Sequence, residues 1–231
     1  MNVVITGTSR GIGLSLAEYY LSGGCRVAGC SRSESPLTHP DYKHYTVDLS
    51  QEADVNRFAA DVRKDFGSVD VLINNAGVAS MNHFMLTPVE TARRLMNINF
   101  FGPFAATRAF INALKKSDHP RVVNFSTVAV PFNLDGELAY VSSKAAVESM
   151  TKILAKELAP FKITVNAVGP TPVKTALTAK VPEKKLKELL DRQAIKRFGE
   201  FEDIRNVIDF YISPASDFIT GQIVYLGGVN K

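Results

Sequence analysis

The chain has 231 residues, 45% of them apolar and 22% charged, with a formal net charge of +4. That length supports one well-buried domain and is short for two, and the composition matches ordinary globular folds. The mild, scattered positive charge gives no support to nucleic-acid binding, and no apolar run approaches the roughly 18 residues of a membrane-spanning helix.

From the start, Met1 to Ile5 reads directly into a strand, Asn2–Ile5, rather than into the basic and apolar segments of a secretory leader. The other strand candidates are Arg26–Cys30, His44–Val47, Val69–Ile73, Arg121–Phe125, Ile163–Val168 and Ile223–Leu226. Runs such as Val3-Val4-Ile5 and Val71-Leu72-Ile73 are apolar on both faces, as strands are when helices cover both sides of a parallel sheet. Cys25 and Cys30 bracket the second strand; at about 3.3 Å per residue they lie roughly 16 Å apart, beyond the ~7 Å a disulfide spans. Reduced thiols and a cytoplasmic setting are expected.

Between the strands, Ile12, Leu16 and Tyr20 share one helix face after a glycine-rich turn. Ser33 to Asp41 holds Pro36 and Pro40, which predicts a short loop. Thr87-Pro88-Val89-Glu90 reads as a capping box with proline at the first helical position, opening a long helix. Thr171 to Arg197 leaves the alternation and carries a lysine-rich amphipathic stretch, Glu183 to Arg192. A helical excursion there is placed to cover a site as a small lid over about residues 171–197, the alternative being a surface helix with a solvated face. Its lysines, Lys180, Lys184, Lys185 and Lys187, read as solvated rather than as ligands of an anionic substrate. Ile204, Val207, Ile208 and Tyr211 give a helix with one buried stripe. Strands alternating with helices throughout mean right-handed βαβ units: an α/β fold, single-domain, with a doubly wound parallel sheet of about seven strands.

The turn Thr6-Gly7-Thr8-Ser9-Arg10-Gly11-Ile12-Gly13 carries the first chemistry. Glycines at 7, 11 and 13 let backbone amides approach a pyrophosphate, and the positive end of the next helix favours the anion. NAD sites usually place an acidic residue about 20 residues on, to bind ribose hydroxyls. Here that stretch is Cys30-Ser31-Arg32-Ser33. Arg32 and Arg10 instead suit a 2′-phosphate through charge-assisted hydrogen bonds, so NADP(H) is the expected cofactor and no metal is.

The glycine spacing resembles that of the short-chain dehydrogenase/reductase family, a Rossmann-type fold. The resemblance continues through Asn74-Asn75-Ala76-Gly77, Asn99, Tyr140-Val141-Ser142-Ser143-Lys144, Thr220-Gly221-Gln222 and Gly227-Gly228, and so covers nearly the whole chain. It implies that Asp48, with Leu49, lies at the adenine, that Ile12 offers its amide to the pyrophosphate, and that Asn75, Ala76 and Gly77 sit beside the cofactor. It further implies that Pro170, Val173 and Thr175 face the nicotinamide and that Lys144 binds its ribose. Asn99 would help hold a water linking Lys144 to solvent. One departure is Pro170-Thr171, where the family commonly has Pro-Gly.

Tyr140 and Lys144 are four apart and share a helix face. A nearby ammonium favours phenolate, which would bring the phenol toward the range of a general acid or base. Relatives of this kind carry a serine 13 residues before the tyrosine. That register gives Thr127, with Ser126 the alternative one residue earlier; the loop fits without insertion, which favours Thr127.

The function read from these residues is reversible hydride transfer between NADP(H) and a ketone or aldehyde, in the reducing direction, resembling 3-oxoacyl reductases. Asp118 and Phe161 stand near places where those enzymes tend to carry basic residues. Val128, Val130, Phe132, Leu134 and Leu177 would line an apolar pocket, with Asn133, Asp135 and Glu137 to orient a polar group. The alternative is a non-catalytic NADP(H)-binding sensor or scaffold; an epimerase or dehydratase lacks room for its second domain. A small-molecule substrate and a homodimer or homotetramer are expected, without nucleic acid or membrane partners.

Overall fold

The β-branched runs pair in one parallel sheet: β1 (Asn2–Thr6), β2 (Arg26–Ser31), β3 (Tyr42–Thr46), β4 (Val71–Asn74), β5 (Arg121–Phe125), β6 (Thr164–Gly169) and β7 (Ile223–Tyr225), in the order β3-β2-β1-β4-β5-β6-β7. This computed structural model describes residues 1–175 and 178–229. Each expected strand is present, with no end moved by more than two residues. The order reverses between β1 and β4, so the crevice that binds ligands in such sheets opens at their carboxyl ends.

The helices are α1 (Gly11–Ser22), α2 (Glu52–Phe66), α3 (Val89–Met96), α4 (Gly102–Leu114), the short α5 (Ala129–Phe132), α6 (Leu138–Glu157), α7 (Glu183–Asp191) and α8 (Phe201–Ile212). One face of the sheet packs Val4, Leu72, Val122 and Val165 against Phe58 of α2 and Phe110 of α4. The other packs Val3, Ile5, Ile73 and Val123 against Leu16 of α1 and Ile204 and Ile208 of α8. Adjacent strand residues therefore serve opposite cores, which is why these strands read as continuous apolar runs.

Two local expectations are corrected. Thr87 caps nothing: its hydroxyl donates to the carbonyls of Asn82 and His83 at 3.3 and 3.1 Å, and Pro88 itself occupies the cap position before Val89. The long helix is also interrupted, because Asn97–Phe101 forms a π turn between α3 and α4. That extra residue aims Asn99 inward, where it is fully buried. Cys25 and Cys30 are free and buried.

Candidate active site

β1 passes into the glycine turn with Gly7 at φ +83°, a left-handed conformation that glycine adopts freely. The amides of Gly7 and Thr8 donate to the Cys30 carbonyl at 2.7 and 3.2 Å, which ties the turn to β2. A Cβ on Gly13 would fall 2.2 Å from the Gly7 carbonyl oxygen, so the helix can start here only with glycine. Arg10 precedes α1 without a side-chain cap, and the first turn holds no acidic residue. The leading amides, that of Ile12 among them, thus keep the positive end of α1 open to an anion. A Cβ on Gly11 would meet only Thr175, 3.9 Å away. These residues fit a dinucleotide diphosphate.

The surroundings brace that cradle. Asn75 Nδ2 donates to the Thr6 carbonyl at 2.8 Å, and the Ala76 amide donates to the Thr6 hydroxyl at 3.0 Å. Ser9 is half-buried within the turn. Asp48 accepts from the Ser50 amide and hydroxyl at 2.9 and 2.8 Å, and Leu49 packs beside Gly102. Ser31 is half-buried at the end of β2, its hydroxyl 3.3 Å from His44 Nε2. Arg10 and Arg32 are exposed, and among the described residues neither is held in an ion pair.

Across the crevice, α6 brings Tyr140 and Lys144 to the end of β5. The Thr127 hydroxyl accepts the Ala129 amide at 3.2 Å and is near enough to Tyr140 to lower the pKa of its phenol. Ser126 turns elsewhere, donating to Glu148. Lys144 Nζ donates to the Phe125 carbonyl at 2.8 Å. Asn99 grips Val78 from both sides, accepting its amide at 2.8 Å and donating to its carbonyl at 2.9 Å. It also donates to the Ser143 hydroxyl at 3.0 Å, which donates onward to the Tyr140 carbonyl at 2.7 Å. Gly77 faces this group: a Cβ there would lie 3.4 Å from Asn99 Oδ1 and 3.5 Å from Lys144 Nζ.

The electrostatics correct the expectation of a lowered phenol. Burial pushes Tyr140 up to about 12; the Thr127 hydroxyl opposes the rise and Glu137 adds to it. Burial likewise lowers the Lys144 amine to about 8, and raises the Glu137 carboxyl. The Lys144 ammonium bonds a backbone carbonyl instead of reaching the phenol, so desolvation decides both groups.

After β6, Pro170 accepts the Val128 amide at 3.1 Å and Val173 bridges to Gly199. Thr171, at the family's glycine place, is buried and donates to Gln193, whose amide donates to the carbonyls of Ile195 and Arg197 at 3.3 and 3.2 Å. The departure at 171 thus fastens the end of the excursion to its beginning. Arg192 stacks 4.6 Å over the Phe132 ring and donates to the Phe132 carbonyl at 2.6 Å. Lys184, Lys185 and Lys187 are exposed, with Lys185 3.6 Å from Glu188. Val128 and Phe132 are buried, while Val130 and Leu134 are half-buried. Leu177 and the Lys180 side chain lie outside the described residues. Sequence reasoning assigned no role to Ser143, quoted only within its motif, or to Glu148, Gln193 and Tyr225; of the last three, Glu148 alone had a readable signal, four residues beyond Lys144.

A diphosphate cradle on one side of the switch point, facing a half-buried phenol and a buried amine on the other, has the layout of a nicotinamide-dependent oxidoreductase. The comparisons agree. A family model described as enoyl-(acyl carrier protein) reductase matches residues 7–230. The 3-oxoacyl-[acyl-carrier-protein] reductase of Thermotoga maritima is 31% identical, with 97% of this chain and 95% of the relative covered. The 3alpha-hydroxysteroid dehydrogenase of Mediterraneibacter gnavus is 30% identical, with 99% and 96% covered. The crystal structure of 3-ketoacyl-(acyl-carrier-protein) reductase from Brucella melitensis, complexed with NADH, superposes with a TM-score of 0.89 at 27% identity, over 97% of this chain and 96% of that one. The chain belongs to the short-chain dehydrogenase/reductase family, and it is an oxidoreductase acting between CH–OH and C=O rather than a non-catalytic binding module.

Proposed function

We propose that the protein reduces a ketone with NADPH, Tyr140 giving its proton to the developing alkoxide while Thr127 holds the same oxygen. The observation that carries this is Tyr140 one helical turn from the buried Lys144, with Thr127 beside it lowering the pKa of the phenol. A phenol pushed up to about 12 is protonated at neutral pH, ready to donate to a stronger base. The nicotinamide, when bound, supplies the hydride. Lys144 binds its ribose, and Asn99 holds the Val78 turn that walls the site. Gly7, Ser9, Arg10, Gly11, Ile12 and Gly13 carry the diphosphate. Arg10, Ser31 and Arg32 bind the 2′-phosphate, Asp48 and Leu49 the adenine, and Asn75, Ala76, Gly77, Pro170, Val173 and Thr175 the nicotinamide half. The two exposed arginines, with no carboxylate at the end of β2, support NADPH over NADH.

The chain works as one dinucleotide-binding and catalytic domain, in which residues 171–197 act as the lid over a small-molecule substrate. Exposed Phe101 and Phe104, at the helix that carries Asn99, and Ile153 on α6 support a homodimer or homotetramer paired through these helices. The functional test is NADPH oxidation against a panel of ketones, aldehydes and 3-oxoacyl thioesters. Turnover of a ketone supports the reading; NADPH binding without turnover of any of them refutes it. Arg32→Ala should weaken NADPH tenfold or more and leave NADH nearly unchanged, since each charge-assisted bond is worth about 1.5–3 kcal/mol. Equal affinity of the unmutated protein for the two cofactors would overturn the 2′-phosphate assignment.

A further inference from the structure

The last residues of β5 are tied to α6 one after another. Asn124 Nδ2 donates to the Thr151 hydroxyl at 2.9 Å, and the Phe125 carbonyl accepts from Lys144 at 2.8 Å. Ser126 donates to Glu148 Oε1, and the Thr127 hydroxyl next to it lowers the pKa of the Tyr140 phenol. Three of the helix partners, Tyr140, Lys144 and Glu148, are spaced by four and form one stripe along α6. Two of them have roles in the proposed chemistry. The third has none, yet it is 8% exposed and its Oε1 accepts a second bond, from the Tyr225 hydroxyl on β7 at 2.7 Å.

A carboxyl group in such a place is costly unless hydrogen-bonded, and an apolar side chain would satisfy packing alone. No ion pair joins Glu148 to Lys144 among the described residues. Its two partners come from different strands, β5 and β7, with β6 between them. The Ser126 amide still pairs with Val168 of β6 at 2.8 Å, and the Val128 amide with Pro170 at 3.1 Å, so Thr127 sits between two fixed backbone points. Turning Ser126 about the chain would turn Thr127 with it, because neighbouring side chains share one extended backbone.

We propose that Glu148 is a positioning residue: by holding Ser126 from α6 and Tyr225 on β7, it fixes the end of β5 so that the Thr127 hydroxyl points at Tyr140. This rests on the reading of Thr127 and Tyr140 as the pair that holds and protonates the carbonyl oxygen. Glutamine keeps the shape and the acceptor oxygen of Glu148, whereas leucine removes the acceptor and keeps the bulk.

The test compares full-length Glu148→Leu, Glu148→Gln, Tyr225→Phe and Tyr140→Phe. Kinetics use acetoacetyl-coenzyme A as the 3-oxo probe, and crystal structures supply a readout independent of turnover. Glu148→Leu should lower kcat tenfold or more, with KM and the NADPH Kd changed less than twofold, and should raise the primary isotope effect from 4-deuterated NADPH. Its crystal structure should show the Thr127 hydroxyl turned away from Tyr140. Glu148→Gln should stay within threefold of the unmutated kcat. Tyr225→Phe, a smaller change that removes only the hydroxyl bonded to Glu148, should lose several-fold in kcat alone. A Glu148→Leu protein that loses thermal stability but keeps kcat per active site, or that leaves Thr127 on Tyr140 in the crystal, overturns the proposal. If Tyr140→Phe itself keeps turnover, the underlying catalytic reading fails instead; if Tyr140→Phe is dead and Glu148→Leu is normal, only the role of Glu148 fails.

Discussion

The end of β5 against α6 and the excursion at 171–197 face the same crevice but are built by opposite means. At the first, Asn124, Ser126, Thr127, Ser143, Lys144 and Glu148 are all buried and each is hydrogen-bonded. In the second, α7 buries no residue, and the excursion is fastened at its two ends: Thr171 to Gln193, Arg192 to Phe132, and the Ala194 and Ile195 amides to the Gly228 and Gly227 carbonyls at 3.0 Å each. Buried polar networks hold one geometry, because every broken bond leaves an unpaired group in a dry place. A helix tied at its ends, with little buried area, opens at small free-energy cost. In the proposed function, proton transfer needs the first kind of structure and substrate entry the second, so the two demands would fall on separate parts of the chain.

Disturbing the rigid side should have the largest effects. Tyr140→Phe removes only the transferable proton and should cut kcat about 10³-fold with NADPH binding intact, as stopped-flow fluorescence and steady-state assays would show. Thr127→Val should cost about 10²-fold in kcat, Thr127→Ser should retain activity, and Ser126→Ala should be mild by comparison. The reverse order for positions 126 and 127 would falsify the assignment of Thr127.

Lys144→Met should separate catalysis from stability. The folded amine, lowered from 10.5 to about 8, carries a charging cost of about 3 kcal/mol at 1.36 kcal/mol per pH unit. Loss of the bond to the Phe125 carbonyl offsets about 1 kcal/mol of that, so the variant should be about 2 kcal/mol more stable at pH 7 while losing turnover and cofactor affinity. Between pH 8 and 10.5 the unfolded chain binds more protons at this site than the folded one, so the unmutated protein should gain stability through that window and close the gap. Tyr140 works oppositely, since its contribution is present below 10 and is lost as pH rises through about 12. Denaturant melts of both proteins at pH 7 and 10 measure the difference, and an equal gap at the two pH values excludes a buried, charged Lys144.

The proposed lid should respond least. Arg192→Ala removes a stacked contact and one hydrogen bond, and should raise KM several-fold with kcat changed less than twofold. Changing Lys184, Lys185 and Lys187 together to glutamine should alter neither beyond twofold. A large rise in KM at low salt for the triple variant would instead make these lysines ligands of an anionic substrate.

What the sequence determined is what depends on local pattern. Two-sided apolar runs marked the inner strands of the parallel sheet, because a strand buried on both faces has no room for polar alternation, while the edge strands β3 and β7 bury no residue fully. Fixed spacings carried the glycine turn and the Tyr140–Lys144 pair, since three glycines in one turn, or two residues one helical turn apart, meet wherever the fold puts them. The cap at Thr87 failed because a nearby turn offered its hydroxyl the carbonyls of Asn82 and His83, a competition that pattern alone does not display. The sign of the Tyr140 shift also escaped, because desolvation depends on everything packed around a group and outweighed the neighbour that the spacing supplied. The register favoured Thr127, and only the tertiary structure showed its alternative, Ser126, turned away to Glu148. The strand, the helix and the third partner Glu148 come from separate stretches of chain, and the direction of a hydroxyl at a strand end is set by what waits on each side of it.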